Sequence, residues 1–578
     1  MNITQYKPSN TMVREAIASL PHFASITEAV AAAGQADEVP SRALEPFGEP
    51  RLLEADGFTC TYDIALDGTA RILKCSSCSN DVVMPREIDG HPVAVIAPHA
   101  FSTCYGLERI ALPENLLEIG EYAFMNTALR SIQFPPKLAA IRQNAFYKCA
   151  LLKEADLNPA LAHIGASAFR ETALRTLEVP ANVSLIGQNA FKDTRLSFTG
   201  PDQSLLIADG NSHFLLADGA LYRTCAEGTE LVQVLDDAAS SFTCMEGVTS
   251  IAARAFAGLK ALERVSLPNG VTCIGEAAFK GCTALTHAGL PDSLRSIGRH
   301  AFADTALAAL RIPASLETVG VAAFYTGGSI ARNFRRTLTH VDISPENERF
   351  YMCDSILCQR GDDGDVALLY TGCADCISIP RNVTSIGPYA FLAAPNTSEL
   401  RIHDGIRSID VGGFDFGHAV TTVLFDEWDG DGPARTYAVR FPPGQAGRQA
   451  VRTTFARGHF ELGFAYAAAD DATLVTQDTL IRSKAMLERL ADPVMLGAGM
   501  RFEFEKRLRR SVPTIIVAFG EGGFLQGIDM LFDAGFITAD ALEASLRATS
   551  DAGEIAAYSR LMELKRTSFN APMFDFEL

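Results

Sequence analysis

The chain has little of what most function classes require. Its 578 residues carry 50 Lys and Arg against 69 Asp and Glu, a formal net charge of -19. Phosphate backbones draw proteins through clustered Lys and Arg, so no nucleic-acid partner is expected. Basic residues do gather in RFEFEKRLRR, from Arg501 to Arg510, but acidic residues interleave and an amphipathic surface helix accounts for them. Long apolar runs are missing. Stretches such as TIIVAF, Thr514 to Phe519, fall far short of a bilayer span, so no membrane insertion is expected. The opening residues MNITQYKPSNTMVREAIASL lack a basic start followed by an apolar segment, so they read as no secretory signal and a cytoplasmic location is expected. The 13 cysteines are odd in number and thinly spread, unlike a disulfide scaffold, which fits free thiols in a reducing compartment.

Catalytic constellations are wanting too. The 11 histidines are scattered, with no H-E-x-x-H and no local grouping of His, Asp and Ser. Gly520, Gly522 and Gly523 in AFGEGGF lack the lysine of a phosphate loop and read as a turn between helices. The stretch DEWDGDGP lacks the ligand spacing and closing Glu of a calcium loop. Two CxxC pairs, Cys75 with Cys78 and Cys373 with Cys376, have the spacing that zinc and thiol redox chemistry both use. Each precedes a short strand, VVMP or ISIP, so packed or turn thiols are the reading. No catalytic residue, metal or cofactor is expected, and a zinc or thiol-redox protein built on these two pairs is the alternative from a different class.

What the chain does have is a repeat. An Ala-Phe dipeptide recurs at Phe101, Phe124, Phe146, Phe169, Phe191, Phe256, Phe279, Phe302, Phe324 and Phe391. The steps are 23, 22, 23 and 22 residues in the first block and 23, 23 and 22 in the second. Upstream of each Phe stands Ile or Val, often followed by Gly, as at Ile119-Gly120 and Ile274-Gly275. Farther upstream a short apolar alternation usually closes on proline, for instance Leu107, Ile110, Leu112 and Pro113. Proline offers no N-H to a ladder, so each such strand is only a few residues long. Downstream of Phe, Cys104, Cys149 and Cys282 alternate with Thr127, Thr172, Thr194 and Thr305, a small-residue position where a thiol or hydroxyl can bond a neighbouring carbonyl.

The pattern L..I.LP..L..IG..AF..C resembles the BspA-like subclass of leucine-rich repeats over about residues 58 to 425, and VVMPREIDGHPVAVIAPHAF, Val82 to Phe101, is similar to the family's opening. The resemblance implies an α/β repeat: a leucine-rich repeat solenoid of short parallel strands and irregular or helical returns. Gaps of 65 and 67 residues after Phe191 and Phe324 hold FLLADGALY and FYMCDSILC, which resemble the family's hairpin inserts, near 197–245 and 325–378. Asp218-Gly219 suits a tight turn.

The expected order is a helical cap over 1–50, with Met12, Val13, Ala16, Ile17 and Leu20 on one face, then the repeats over 51–428. A linker over 429–449 and a small α-helical domain over 450–578 follow, with Thr538 and Asp551 as candidate N-caps. Such an array points to a non-enzymatic, cytoplasmic, bacterial-type interaction protein holding a protein partner. The outward strand positions are Arg109, Gln133, Glu154, Asp156, Glu178, Arg264, His287 and Arg311. The resemblance also implies an alternative, surface adhesion to host or matrix proteins. Nothing in the sequence names the partner or the oligomeric state.

Overall fold

The computed structural model describes residues 49–225, 228–325, 338–391, 397–410, 413–414, 420–429, 432–455, 460 and 462–569. The expected cap over 1–50 lies outside them apart from its last two residues. The chain divides into two compact units, Met1–Thr283 and Ala284–Leu578. Both are built from leucine-rich repeat solenoid turns, and the second ends in helices.

The first unit opens with an antiparallel meander, Arg51–Ala55, Phe58–Ile64 and Ala70–Cys78. Its last strand starts a parallel ladder that runs through His91–Ile96, Glu118–Ile119, Ala140–Ile141, His163–Ile164 and Leu185–Ile186. A second row holds the strands that lead into the Pro positions: Asp81–Val83 with Arg109–Ala111, Ser131–Gln133 with Glu154–Asp156, and Leu177–Val179 with Leu205–Ile207. A second meander, Phe214–Ala217, Ala220–Cys225 and Gly228–Val234, restarts the ladder through Val248–Ile251 and Cys273–Ile274. Its two-residue turn has φ of 50° at Asp218 and 74° at Gly219, the left-handed pair expected of that dipeptide.

The Ala-Phe motif is the core. Phe101, Phe124, Phe146, Phe169 and Phe191 are fully buried and their rings stack at 5.1, 5.3, 5.4 and 6.4 Å, close to the spacing of neighbouring strands. The turns of Phe124, Phe146, Phe169 and Phe191 carry left-handed residues on both sides of the Phe, such as Tyr122 and Asn126 or Asn144 and Lys148. These corners aim backbone N-H groups along the stack: Tyr122, Phe124 and Asn126 donate to the carbonyls of Gln143, Ala145 and Tyr147 at 3.0, 2.8 and 2.9 Å. The glycine after Ile has a different cause. A Cβ on Gly165 would stand 2.4 Å from the Gln143 nitrogen, so at this turn the neighbouring backbone approaches too closely for a side chain.

The Cys and Thr positions also have their reason. Thr127 Oγ1 donates to the carbonyl of Phe124 in its own turn at 2.9 Å, while Cys149 Sγ reaches back one turn to the same oxygen at 3.0 Å. Thr172 and Cys282 repeat the two modes, on Phe169 and on Phe256.

The second unit continues the repeat with Ser296–Ile297 beside Thr318–Val319 and Ala309–Ile312 beside His340–Ile343. A third meander, Phe350–Cys353, Ile356–Gln359 and Asp365–Tyr370, leads to Val383–Ile386 and Ser408–Ile409. The other row ends with Cys376–Ser378, Glu399–His403 and Thr422–Asp429. The expected linker over 429–449 contains a strand. Gly432–Arg440 is a strand paired antiparallel with Thr422–Asp429, because its alternation lets Val439 bury against the last turn while Arg435 and Arg440 stay outside.

Helices begin at Gln445–Phe455, a few residues before the expected start, and run to Ile555–Leu564. Thr538 caps Ala539–Ala552 by accepting from the Ala541 N-H, but Asp551 lies inside that helix. The break is at Gly553, φ 75°, and Glu554 stands at the next N-terminus. RFEFEKRLRR lies within the helix Ala498–Arg510, burying Phe504 and Leu508. No helix among the described residues is long and apolar enough to cross a membrane.

Candidate binding surface

All eight outward residues have exposed side chains on strands that lead into Pro positions, six in the first unit and His287 and Arg311 in the second. In the first unit, backbone bonds from Arg130 to Glu108, Lys153 to Arg130 and Arg175 to Lys153 step the row from turn to turn. Arg109, Gln133, Glu154, Asp156 and Glu178 therefore share one face. Register sets Gln133 beside Asp156 and Ser131 beside Glu154.

The charges on this face differ in availability. Arg109 holds Asp81 on the adjacent strand in a two-pronged contact, Nε to Oδ1 at 2.6 Å and the second nitrogen to Oδ2 at 2.7 Å. That contact keeps the Asp81 carboxyl below the usual carboxylate range. Glu154, Asp156 and Glu178 form no ion pair with another described residue. They make an acidic strip across two strands, with exposed Leu206 in register beside Glu178 and exposed Val83 near the other end of the row. Arg264 sits beside Ser241 with Glu263 at 3.6 Å. In the second unit, His287 Nδ1 is 2.9 Å from Thr286 Oγ1, and Arg311 lies in register with Asp342. Asp81, Val83 and Leu206 belong to the face and were not among the outward positions derived from the repeat. Aligning DVVMP with CISIP exposes the first two.

The opposite ladder of the first unit hides a polar group where the motif calls for glycine. Arg142 follows Ile141 in place of Gly, and its guanidinium bonds Glu118 Oε2 at 3.0 Å and His163 Nδ1 at 3.3 Å, all three side chains being buried. Burial, aided by the charge of Arg142, pushes His163 down to about 3, so the ring is neutral.

The two CxxC pairs lie in different units and differ in surroundings. Cys373 and Cys376 are exposed, with Cys376 donating to Glu399 at 3.2 Å; burial of its sulfur and the neighbouring carboxylate push that thiol up to about 11. Cys75 and Cys78 meet a third thiol, Cys104, and the three sulfurs lie within 4.8 Å of one another. Hydrogen bonding from Cys104 lowers Cys75, and the same contact raises Cys104. Cys60, opposite Cys75 in the meander and fully buried, is pushed up to about 12 by burial.

A separate cleft of about 520 Å³ opens in the second unit beside the strand Gly432–Arg440 and the helices Leu462–Val475 and Thr479–Ala491. Within it Arg489 bonds Asp470 at 2.9 Å and covers the ring of Tyr466. Burial raises Asp470 despite that partner.

The model of the BspA type leucine rich repeat region matches in six copies over residues 79–197, 237–356 and 368–427. No curated protein matches the chain. Among solved structures it is similar to the pneumococcal vaccine antigen PcpA, 16% identical over 66% of this chain and 94% of that one, TM-score 0.38. A leucine rich cell surface protein of Faecalibacterium prausnitzii is 17% identical over 66% and 96%, TM-score 0.33. A leucine-rich repeat protein of T. pallidum is 28% identical over 41% and 91%, TM-score 0.26.

Proposed function

This chain belongs to the BspA-type leucine-rich repeat proteins, and on that footing we propose that it is a non-catalytic binding protein whose exposed strand row holds a protein partner. Repeat arrays present extended surfaces on which each turn contributes one or two side chains, and affinity comes from complementarity over area. The observation that carries the reading is the acidic strip of Glu154, Asp156 and Glu178, exposed and without an ion pair to another described residue, next to exposed Leu206. Charges already satisfied within the protein, like Arg109 with Asp81, must lose a partner to bind; this strip need not. The partner is therefore a protein with a basic patch and an apolar contact beside it.

All thirteen cysteines are free thiols, which supports a reducing, cytoplasmic setting. A second reading rests on the names of two similar structures, a cell surface protein and a vaccine antigen: the same face turned to a host or matrix protein. Cell fractionation separates the two. For the binding face itself, the test compares full-length wild type with the triple variant E154K/D156K/E178K in cross-linked capture from native lysate. The expected result is loss of the wild-type partner by about tenfold or more with an unchanged melting profile. Equal recovery by both would move the site off this face.

A further inference from the structure

We propose that Cys75, Cys78 and Cys104 form a binding site for one Zn2+ ion, independent of the strand face. The three sulfurs lie within 4.8 Å of one another. Thiolates on one tetrahedral zinc, each about 2.3 Å from the metal, stand roughly 3.8 Å apart, so closure needs shifts of about 1 Å or less. An all-thiolate donor set selects soft cations over calcium or magnesium.

The frame that brings the thiols together is rigid. Cys75 ends the regular part of the third meander strand, and its N-H donates to the Ala100 carbonyl at 2.7 Å, which ties that strand to the first Ala-Phe turn. Cys104 lies on that turn, its N-H donating to the Phe101 carbonyl at 2.9 Å. Cys78 closes the strand and is half-buried, which leaves an entry path; Cys75 and Cys104 are buried. Cys60, across the ladder from Cys75 and buried, is a further thiol for a fourth position, which water could fill instead.

Packing alone does not explain these cysteines, because the protein contains its own control. The N-H of Val234 reaches Ala255 and that of Tyr370 reaches Ala390 as that of Cys75 reaches Ala100, so the second and third meanders place Val234 and Tyr370 where the first has Cys75; by sequence count, Ala238 with Leu259 and Cys373 with Ala394 stand where it has Cys78 and Cys104. Val234 and Leu259 are buried and Tyr370 stacks on Phe391 at 5.7 Å, so side chains without a thiol fill the Cys75 place in both sister meanders and the Cys104 place in the second. Only the first meander carries thiols at all three.

The sister positions also supply variants that keep the packing. C104T installs the residue that Thr127, Thr172 and Thr305 provide at the equivalent place, and C75V/C78A copies the second meander. The experiment titrates Co2+ and then Zn2+ into full-length protein purified reduced and without oxygen. Thiolate-to-cobalt charge-transfer absorption is followed, with circular dichroism as the check on folding.

The expected result is one Co2+ per chain with that absorption, displaced by Zn2+. C104T and C75V/C78A should weaken binding by roughly 100-fold or more, at or beyond the range seen when only a site's outer shell is altered. C373S/C376S should bind as wild type. Absence of the thiolate band in folded wild type, its persistence in folded C104T, or its loss in C373S/C376S would each overturn the proposal. So would a disulfide among the three in the anaerobically isolated chain.

Discussion

Acid should loosen the first unit at one particular turn. His163 is buried against Arg142, and its ring is held down to about 3 from an ordinary 6.5. The folded ring thus stays neutral where the unfolded one takes a proton. The penalty is absent above about pH 6.5, grows as the pH falls, and is complete below about pH 3. At pH 5 the gap to the unfolded value is about 1.5 units, worth about 2 kcal/mol.

Native-state hydrogen exchange read by mass spectrometry measures this locally, which matters because a chain of two compact units does not unfold in one step. After correction for intrinsic exchange, peptides spanning 138–169 should lose about 2 kcal/mol of protection between pH 7.5 and pH 5, and peptides around Phe279 should lose much less. H163Q keeps an acceptor for Arg142 and removes the titration, so its profile over 138–169 should be nearly flat. If wild type and H163Q show the same pH dependence, the ring is not the buried neutral group described above.

Other perturbations test the repeat architecture. Phe146→Ala removes a fully buried ring stacked between Phe124 and Phe169 and should cost roughly 3–5 kcal/mol, read as lost exchange protection that spreads into both neighbouring turns. Protection lost in its own turn alone would mean that the rings do not couple the stack. Gly165→Ala sets a Cβ against the Gln143 and Arg142 backbone and should destabilise by about 1–3 kcal/mol; Gly247→Ala, where φ is 86° and nothing crowds the Cβ, should act only through backbone strain. Alkylation during cell lysis should find all thirteen cysteines reduced, with Cys373 and Cys376 reacting first on the native protein. Disulfides in cells would argue for export.

The repeat was legible because its determinants are local: Ala-Phe, the preceding Ile-Gly and the proline after each strand recur at nearly fixed steps, and each maps to a corner, a close approach or a strand end. The eight outward residues followed from alternation within those strands. The meander over 51–78 is not legible as a third relative of the two inserts, because no Ala-Phe turn precedes it to mark a gap. Gly432–Arg440 was hidden by the Asp-Gly turn in front of it, which reads as a linker although the residues beyond it alternate.

The remaining features depend on register between turns. Cys104 is one of a periodic set, and only the pairing of the strand Ala70–Cys78 with the following turns reveals that it meets Cys75 and Cys78. Glu118, Arg142 and His163 lie on three successive turns at slightly different motif positions, so no spacing rule joins them. Which exposed charges are already paired, the property that singles out Glu154, Asp156 and Glu178, is likewise visible only in three dimensions.

The central claim is that the exposed strand row is where a partner sits. Its most direct test is hydrogen exchange of the full-length chain, free and with its cross-linked partner captured from native lysate. The account predicts new protection in peptides containing 131–133, 154–156 and 177–179, together with cross-links from partner lysines to Glu154, Asp156 or Glu178. Protection confined to the meanders at 214–234 and 350–370, or to the helices between 445 and 564, would contradict it.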